Sequence, residues 1–248
     1  MENCLTYIVP DAVEEYKDYH RTICFNLNRM IWDVSFLKKA AEMQQNCGAY
    51  RNGFVIAQLY KNEFELLTLR LHRTLYDDGN DTITLPKLKS KLLKNYLFPE
   101  YRQELCQRLK STSWDNPDVV AARRRADAVV PIFRTTFIAH SLKKDVDELS
   151  FCFEDAEKVI MAACDLFSKL NFGAEEFYSA DEKANLNHQK EQIACEEIIE
   201  EFFLYQYLSS YPIREIDCAF ANDEKQDALQ SAINQINSKL EHEFIRFK

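Results

Sequence analysis

Residues 133–144, FRTTFIAHSLKK, place an arginine and a histidine six positions apart, next to the apolar residues Phe133, Phe137, Ile138 and Ala139. Histidine titrates near neutral pH, so His140 can take a proton from a ribose 2′-hydroxyl or give one to a leaving oxygen. Arg134 stays charged and can hold phosphoryl oxygens as negative charge builds in a transition state. Thr135 adds a polar group beside the arginine. Such a pair could cleave RNA by internal transesterification, with the substrate's own hydroxyl as nucleophile and without a metal.

The spacing of Arg134 and His140 raises a geometric difficulty. On a regular helix, six residues place two side chains roughly 120° apart around the axis, with an axial offset of about 9 Å. A single straight helix would therefore not aim both groups at one phosphate. A kink near Pro131, a helix end within the motif, or a two-fold dimer in which each motif lies beside its copy would bring them together. The competing interpretation is a core helix that holds both residues by chance.

Two stretches of the sequence resemble the HEPN superfamily, a group of all-helical proteins named for a nucleotide-binding domain of higher eukaryotes and prokaryotes. One is RTTFIAH at residues 134–140, similar to a family motif of arginine, a polar residue, a spacer ending in alanine, and histidine. The other is LHRTLYDDGNDTITLPKLKSKL at residues 71–92. It resembles a helix end, a short loop and a leucine-lysine helix of the abortive-infection AbiU-like branch. The resemblance covers residues 15–170 and does not extend to the rest of the chain.

This resemblance implies a helical bundle that dimerises and a metal-independent RNA endonuclease that needs no cofactor. It assigns catalysis to Arg134 and His140, and it places Thr135 where many members have a more strongly polar residue. It further implies a role as a toxin or phage-defence effector, with RNA as the substrate and transfer RNA among the candidates. The implied partners are a second copy of the chain and a neutralising or regulatory protein.

Other basic residues are weaker candidates for RNA binding. Lys143 and Lys144 follow the histidine directly and could meet neighbouring phosphates, although solvated surface charges would look the same in the sequence. Arg73 could flank a cleft, but an ion pair with Asp77 four residues later is the favoured interpretation. The densest basic run, residues 123–125, is expected to project in three directions from a helix.

The elements that must position these groups are predicted to be helices. Only 4 glycines and 6 prolines occur in 248 residues, and this scarcity of turn formers favours long helices joined by few loops. No stretch alternates every two residues, so the predicted class is all-α. Helix starts are expected near Thr84 as N-cap, at Pro99 and at Pro117. Helices are predicted over residues 11–45, 57–75, 154–170, 191–211 and 222–248.

The predicted organisation is a HEPN-like helical domain over residues 1–171 and a C-terminal extension of two helices over residues 172–248. Residues 171–189 are polar and are predicted to form the connection. An alternative function is a non-catalytic helical interaction module in a defence or regulatory complex. In that case, an aromatic stripe in the extension would dock a partner subunit: Phe202, Phe203, Tyr205 and Tyr207.

Composition and charge exclude several classes of protein. The net charge of −9 counts against a broad nucleic-acid surface, because phosphate affinity comes mostly from lysine and arginine. The 8 cysteines include no C-x-x-C pair, so neither a zinc knuckle nor a redox dithiol is expected. No apolar run is long enough to span a bilayer, and the N-terminal sequence lacks the layout of a secretion signal. A soluble, cytoplasmic protein is expected.

Isolated cysteines and histidines are expected to have structural roles. Three cysteines lie among aliphatic residues and are predicted to be core residues: Cys24, Cys164 and Cys195. None of the 5 histidines has an acid three residues before it, which argues against a carboxylate-bridged di-iron site. Apart from His140, each histidine stands alone and is predicted to be a surface or capped residue: His20, His72, His188 and His242.

Overall fold

Helices make up most of the chain in the computed structural model, which describes residues 4–47, 53–133, 152–180 and 182–209. Within these ranges the only strand-like pairing is an isolated antiparallel bridge between Ile8 and Leu97, so the all-α prediction is confirmed there. None of the described helices combines the length and the apolarity that crossing a bilayer requires. The α-helices are α1 (Cys4–Tyr7), α2 (Val13–Cys47), α3 (Gly53–Leu71), α4 (Leu85–Lys91), α5 (Pro99–Lys110), α6 (Pro117–Phe133), α7 (Phe153–Lys169) and α8 (His188–Ser209).

Several helix boundaries follow directly from local sequence. The Thr84 side chain accepts a hydrogen bond from the Lys87 backbone N–H at 3.3 Å, which confirms the predicted N-cap of α4. Helices α5 and α6 begin at Pro99 and Pro117 as predicted, because proline presets the helical φ where an N–H would have no partner. Helix α6 runs through Pro131 to Phe133.

Helix α2 is the centre of the fold and packs against α3, α7 and α8. Five of its fully buried side chains recur at steps of three, four and seven residues, so they share one face. They are Tyr16, Ile23, Leu27, Met30 and Leu37. Burial of an aliphatic side chain of this size contributes about 1.5–3 kcal/mol, so this row is a main source of the stability of the bundle.

Residues 171–189 join α7 to α8, as expected for a connection, but several described side chains from Phe172 onward pack into the same core. Phe172 and Tyr178 are buried, and Phe203 of α8 is fully buried against α2. The Tyr16 hydroxyl donates to the Leu170 carbonyl at 3.0 Å and accepts from the Phe172 N–H at 2.9 Å, which holds the chain beside α2 as it leaves α7. The division into two domains at residue 171 stays a prediction, because residues 210–248 lie outside the described chain.

Two histidines predicted to be surface or capped residues are capped by hydrogen-bond partners and not at the surface, because they are buried between α2, α7 and the start of α8. His20 is 0% exposed and its Nδ1 lies 2.8 Å from the Tyr178 hydroxyl. His188 is 5% exposed and its Nδ1 lies 2.6 Å from the Asn28 Oδ1, so this nitrogen carries the proton. The Phe167 ring contacts both imidazoles, with centroid distances of 4.4 and 5.7 Å. Isolated position in the sequence therefore did not indicate exposure.

This histidine pair is expected to make the protein less stable at mildly acidic pH. Burial lowers the pKa of His20 to about 3 and that of His188 to about 4, against 6.5 normally. Below pH 6.5 the unfolded chain binds protons that the folded chain does not, so the free energy of unfolding falls as pH falls. From pH 7 to pH 5 each histidine should remove about 2 kcal/mol, which urea unfolding at the two pH values measures.

The variant His188→Asn isolates the effect of one histidine. It keeps a donor for Asn28 but cannot titrate, so its loss of stability between pH 7 and pH 5 should be about 2 kcal/mol smaller than in the wild type. Comparing the two proteins cancels other groups, among them Asp33, whose pKa is raised by burial to about 7 and which acts in the opposite direction. An equal loss in both proteins would show that His188 is not the proton-linked group.

The three cysteines predicted to lie in the core are buried free thiols, which confirms that prediction: Cys24, Cys164 and Cys195. Burial raises the pKa of Cys24 to about 11, so its thiol stays protonated and inert near neutral pH. Among the described residues, no group of three or more His, Cys, Asp or Glu side chains is arranged to hold a metal ion.

Candidate functional site

The predicted catalytic segment lies outside the described residues. This applies to Arg134, Thr135, His140, Lys143 and Lys144, all of which fall in residues 134–151. The structure describes the helices on either side of them, α6 to Phe133 and α7 from Phe153. The assignment of Arg134 and His140 as a catalytic pair therefore stays a prediction.

Helices α6 and α7 form an antiparallel hairpin on either side of this segment. The Arg125 guanidinium binds both carboxylate oxygens of Asp155, with Nε–Oδ2 and Nη2–Oδ1 distances of 2.6 and 2.7 Å. Just before α6, the Ser113 N–H and hydroxyl both donate to Asp165 Oδ2, at 2.6 and 2.8 Å. Phe133 lies eight residues after Arg125, so α6 continues about 12 Å along its axis beyond that ion pair.

An open cleft of about 480 Å³ lies where α4, the π-helical turn His72–Tyr76 and α6 come together. We call it the basic cleft, because its charged residues are three cations and one carboxylate. The residues that define it here are Tyr76, Lys89, Trp114, Arg123, Arg124 and Asp127. The Tyr76 hydroxyl donates to the Arg123 carbonyl at 3.4 Å, which ties the turn to α6. A local excess of positive charge thus exists on a chain of net charge −9.

Arg123 is the most constrained cation of the basic cleft. Its guanidinium carbon lies 4.0 Å from the centroid of the Trp114 ring, and Trp114 is only 7% exposed. The Nε of Arg123 is buried and has no hydrogen-bond partner in the described part of the chain. The ion pairs formed between described residues do not include Arg123. The cation–π contact with Trp114 therefore orients the Arg123 guanidinium. In the described part of the chain, no hydrogen-bond acceptor pairs with its Nε.

Local structure before α6 brings Trp114 to this position. The Thr112 hydroxyl accepts from the Trp114 N–H at 3.2 Å and opens the single turn Ser113–Asp115. The Asn116 side chain then accepts from the Asp118 N–H at 2.9 Å, at the start of α6. The turn and the capped start of α6 place the indole against Arg123, nine residues further along the chain.

Arg73 is exposed, and the predicted ion pair with Asp77 is wrong for the described structure. Asp77 follows the last turn of the helix and has extended backbone angles, φ −73° and ψ 116°, so the i,i+4 geometry of a helix does not apply. Its carboxylate instead accepts from the Gly79 N–H at 3.0 Å and lies 4.0 Å from the Nδ1 of His72. His72 is buried, so of the two predicted alternatives, a surface residue or a capped residue, the first is wrong.

The three arginines of residues 123–125 do project in different directions, as predicted. Arg123 lies on Trp114, Arg125 pairs with Asp155, and Arg124 is exposed. The sequence did not indicate that Lys89 and Trp114 share a cleft with this run, because they come from other elements.

Comparisons with protein-family models, curated proteins and solved structures find no match for this chain.

Proposed function

We propose that this protein is a metal-independent RNA endonuclease of the HEPN type, a cytoplasmic toxin or phage-defence effector. The observation that carries the proposal is the RTTFIAH motif at residues 134–140, which continues the chain directly after α6. The second resembling stretch, residues 71–92, supports it. In the structure these residues include a helix end, a short loop and the Thr84-capped helix α4, which is the order that the resemblance implies.

In the proposed reaction, His140 takes the proton of a ribose 2′-hydroxyl, and the 2′-oxygen forms a bond to the adjacent phosphorus. The bond from phosphorus to the 5′-oxygen breaks, and that oxygen receives a proton from His140 of the partner subunit. Arg134 stabilises the charge that builds on the phosphoryl oxygens, and Thr135 supports it as a hydrogen-bonding group. The active form is a homodimer, because two-fold symmetry brings two copies of the motif to one cleft.

Other parts of the proposal concern the substrate and the partners. Lys143, Lys144 and Arg73 contact neighbouring phosphates of the RNA, and Arg73 is available for this because it is exposed. Transfer RNA is the first substrate to test. A neutralising or regulatory protein would restrain the activity in the cell.

Purified protein, free of any partner, should cut RNA in the presence of excess EDTA. The expected products carry a 2′,3′-cyclic phosphate on one fragment and a 5′-hydroxyl on the other, because the 2′-oxygen is the nucleophile. Gel electrophoresis and mass spectrometry of transfer RNA and total RNA fragments measure both features. The matched control is a DNA strand of the same sequence, which lacks the nucleophile and should stay intact. RNA that stays intact between pH 6 and pH 8 would contradict the proposal.

The second candidate is a non-catalytic helical interaction module, and one observation on α8 favours it. Ile198 and Phe202, four residues apart on one side of the helix, are 53% and 38% exposed. Phe203 is buried against α2, so the prediction that this side chain docks a partner is wrong. The side chains of Tyr205 and Tyr207 lie outside the described structure. If the RNA assay fails, this face is the place to look for a partner.

A further inference from the structure

We propose that the basic cleft binds a phosphate group of single-stranded RNA, and so forms a substrate subsite apart from the proposed catalytic pair. The phosphate chemistry is argued from the cleft itself. The choice of RNA as the source of the phosphate rests on the proposed function.

Arg123 is built to receive an anion. The indole of Trp114 covers the guanidinium at 4.0 Å, which leaves the rest of the group to face the cleft that Arg123 lines. Arginine presents a planar fork of donors that matches two phosphate oxygens, and no carboxylate of the described residues pairs with it. A partly buried cation without a counter-ion is costly, and a bound phosphate would supply that counter-ion.

Two further cations widen the site. Lys89 reaches the cleft from α4 and is half-buried, and Arg124 lies beside Arg123 and is exposed. Asp127 is the carboxylate that opposes these three cations, so the charged residues of the cleft carry a net charge of +2. On a chain of net charge −9, phosphate binding must depend on such a local cluster. The volume of about 480 Å³ lies within the range of small-ligand sites, about 300–1,000 Å³.

The shape of the cleft favours a single strand over a duplex. Arg123 is anchored in a recess between helices, where an unpaired nucleotide can enter, whereas base pairing holds a duplex phosphate on a convex surface. A base can stack on a guanidinium plane, which is a common contact to unpaired nucleotides. Arg123 lies ten residues before Phe133, about 15 Å along α6, so a strand of several nucleotides would be needed to reach the chain that follows Phe133.

The test measures binding without cleavage, by fluorescence anisotropy of a labelled 12-nucleotide RNA in which every ribose is 2′-O-methylated. In the full-length protein, Arg124→Met and Lys89→Met should each weaken binding several-fold. Combining Arg124→Met with Arg123→Lys should weaken binding by at least about tenfold. The slope of log affinity against log salt should become shallower by about 0.7 for each phosphate that a variant no longer neutralises. Asp127→Asn should tighten binding, because it removes the opposing charge.

The matched control is Arg29→Met. Arg29 also lies over an aromatic ring, with its guanidinium 5.3 Å from the Phe25 centroid, but it is not a residue of the cleft. Its replacement should leave affinity and salt slope unchanged. If Arg123→Lys fails to fold, the variants of the exposed Arg124 and the half-buried Lys89 still test whether the cleft binds RNA.

Displacement of the RNA by adenosine monophosphate at equal concentration would overturn the choice of RNA in favour of a free nucleotide.

The inference is overturned if the wild type does not bind the RNA, or if the cleft variants bind it as the wild type does with the same salt slope. Neither result depends on catalysis, because the methylated RNA cannot be cut by its own 2′-oxygen. Weakened binding in the cleft variants, together with unmodified RNA that stays intact, would support this subsite and contradict the proposed nuclease. Normal binding in the cleft variants, together with RNA cleavage by the wild type, would contradict this subsite and support the proposed nuclease.

Discussion

Replacing His140 with asparagine is expected to lower the rate of RNA cleavage by about 10²–10⁴-fold, the usual contribution of a general acid or base. Asparagine keeps a polar group of similar size but cannot take up a proton between pH 6 and pH 8. In a homodimer the substitution removes the proposed base and the proposed acid together, so the effect should lie toward the upper end of that range. Single-turnover cleavage of transfer RNA in EDTA measures it.

Arg134→Ala should lower the same rate by about 10²–10³-fold, because it removes the charge that stabilises the transition state. Arg29→Ala is the matched control, since Arg29 is exposed and lies on α2. It should cleave like the wild type. Circular dichroism and a thermal melt check that each variant is folded.

Cleavage by His140→Asn at the wild-type rate would show that His140 has no part in the chemistry.

Much of the fold could be predicted from local sequence, because the determinants of a helix lie within a few residues of each other. Thr84 caps α4 through a residue three positions later, and Pro99 and Pro117 start helices at their own positions. The row of apolar residues on α2 likewise follows from a period of 3.6 residues. These features need no knowledge of the tertiary structure.

The packing around the histidine pair could not be predicted in this way. His20 and Tyr178 are 158 residues apart in the sequence, and Asn28 and His188 are 160 residues apart. Each histidine therefore looks isolated in the sequence and has a polar partner only in the folded chain. The polar composition of residues 171–189 was misleading for the same reason, because it does not show which side chains face α2.

The basic cleft illustrates the same limit for a candidate site. Residues 123–125 are alike in the sequence, yet the fold gives them different roles. Asp155 neutralises Arg125, and this contact lowers the pKa of the carboxyl. Arg123 meets an indole and no carboxylate among the described residues. Which arginine is available to an anion therefore depends on neighbours contributed by other helices.

Arg70→Met is expected to lower the free energy of unfolding by about 3–5 kcal/mol, the cost of removing one partner from a buried ion pair. Arg70 of α3 donates to both oxygens of Asp33 on α2, with an Nη1–Oδ1 distance of 2.5 Å. The Asp33 side chain is 3% exposed, so water cannot take the place of the guanidinium. Methionine fills most of the volume, which limits any cavity. Urea unfolding at pH 8 measures the effect, and Arg29→Met should change stability by no more than about 0.5 kcal/mol.

The pH dependence of this variant separates the effect of charge pairing from that of packing. Burial raises the pKa of Asp33 to about 7 although Arg70 opposes the shift, so removing Arg70 should raise this pKa further. As pH rises through 7, the wild type ionises Asp33 beside a counter-charge, whereas the variant must keep it protonated. The stability gap between Arg70→Met and the wild type should therefore widen from pH 6 to pH 8. Adding Asp33→Asn to the variant removes the carboxyl that must stay protonated, so the double variant should regain stability at pH 8. A gap that is constant with pH and unchanged by Asp33→Asn would assign the whole effect to packing.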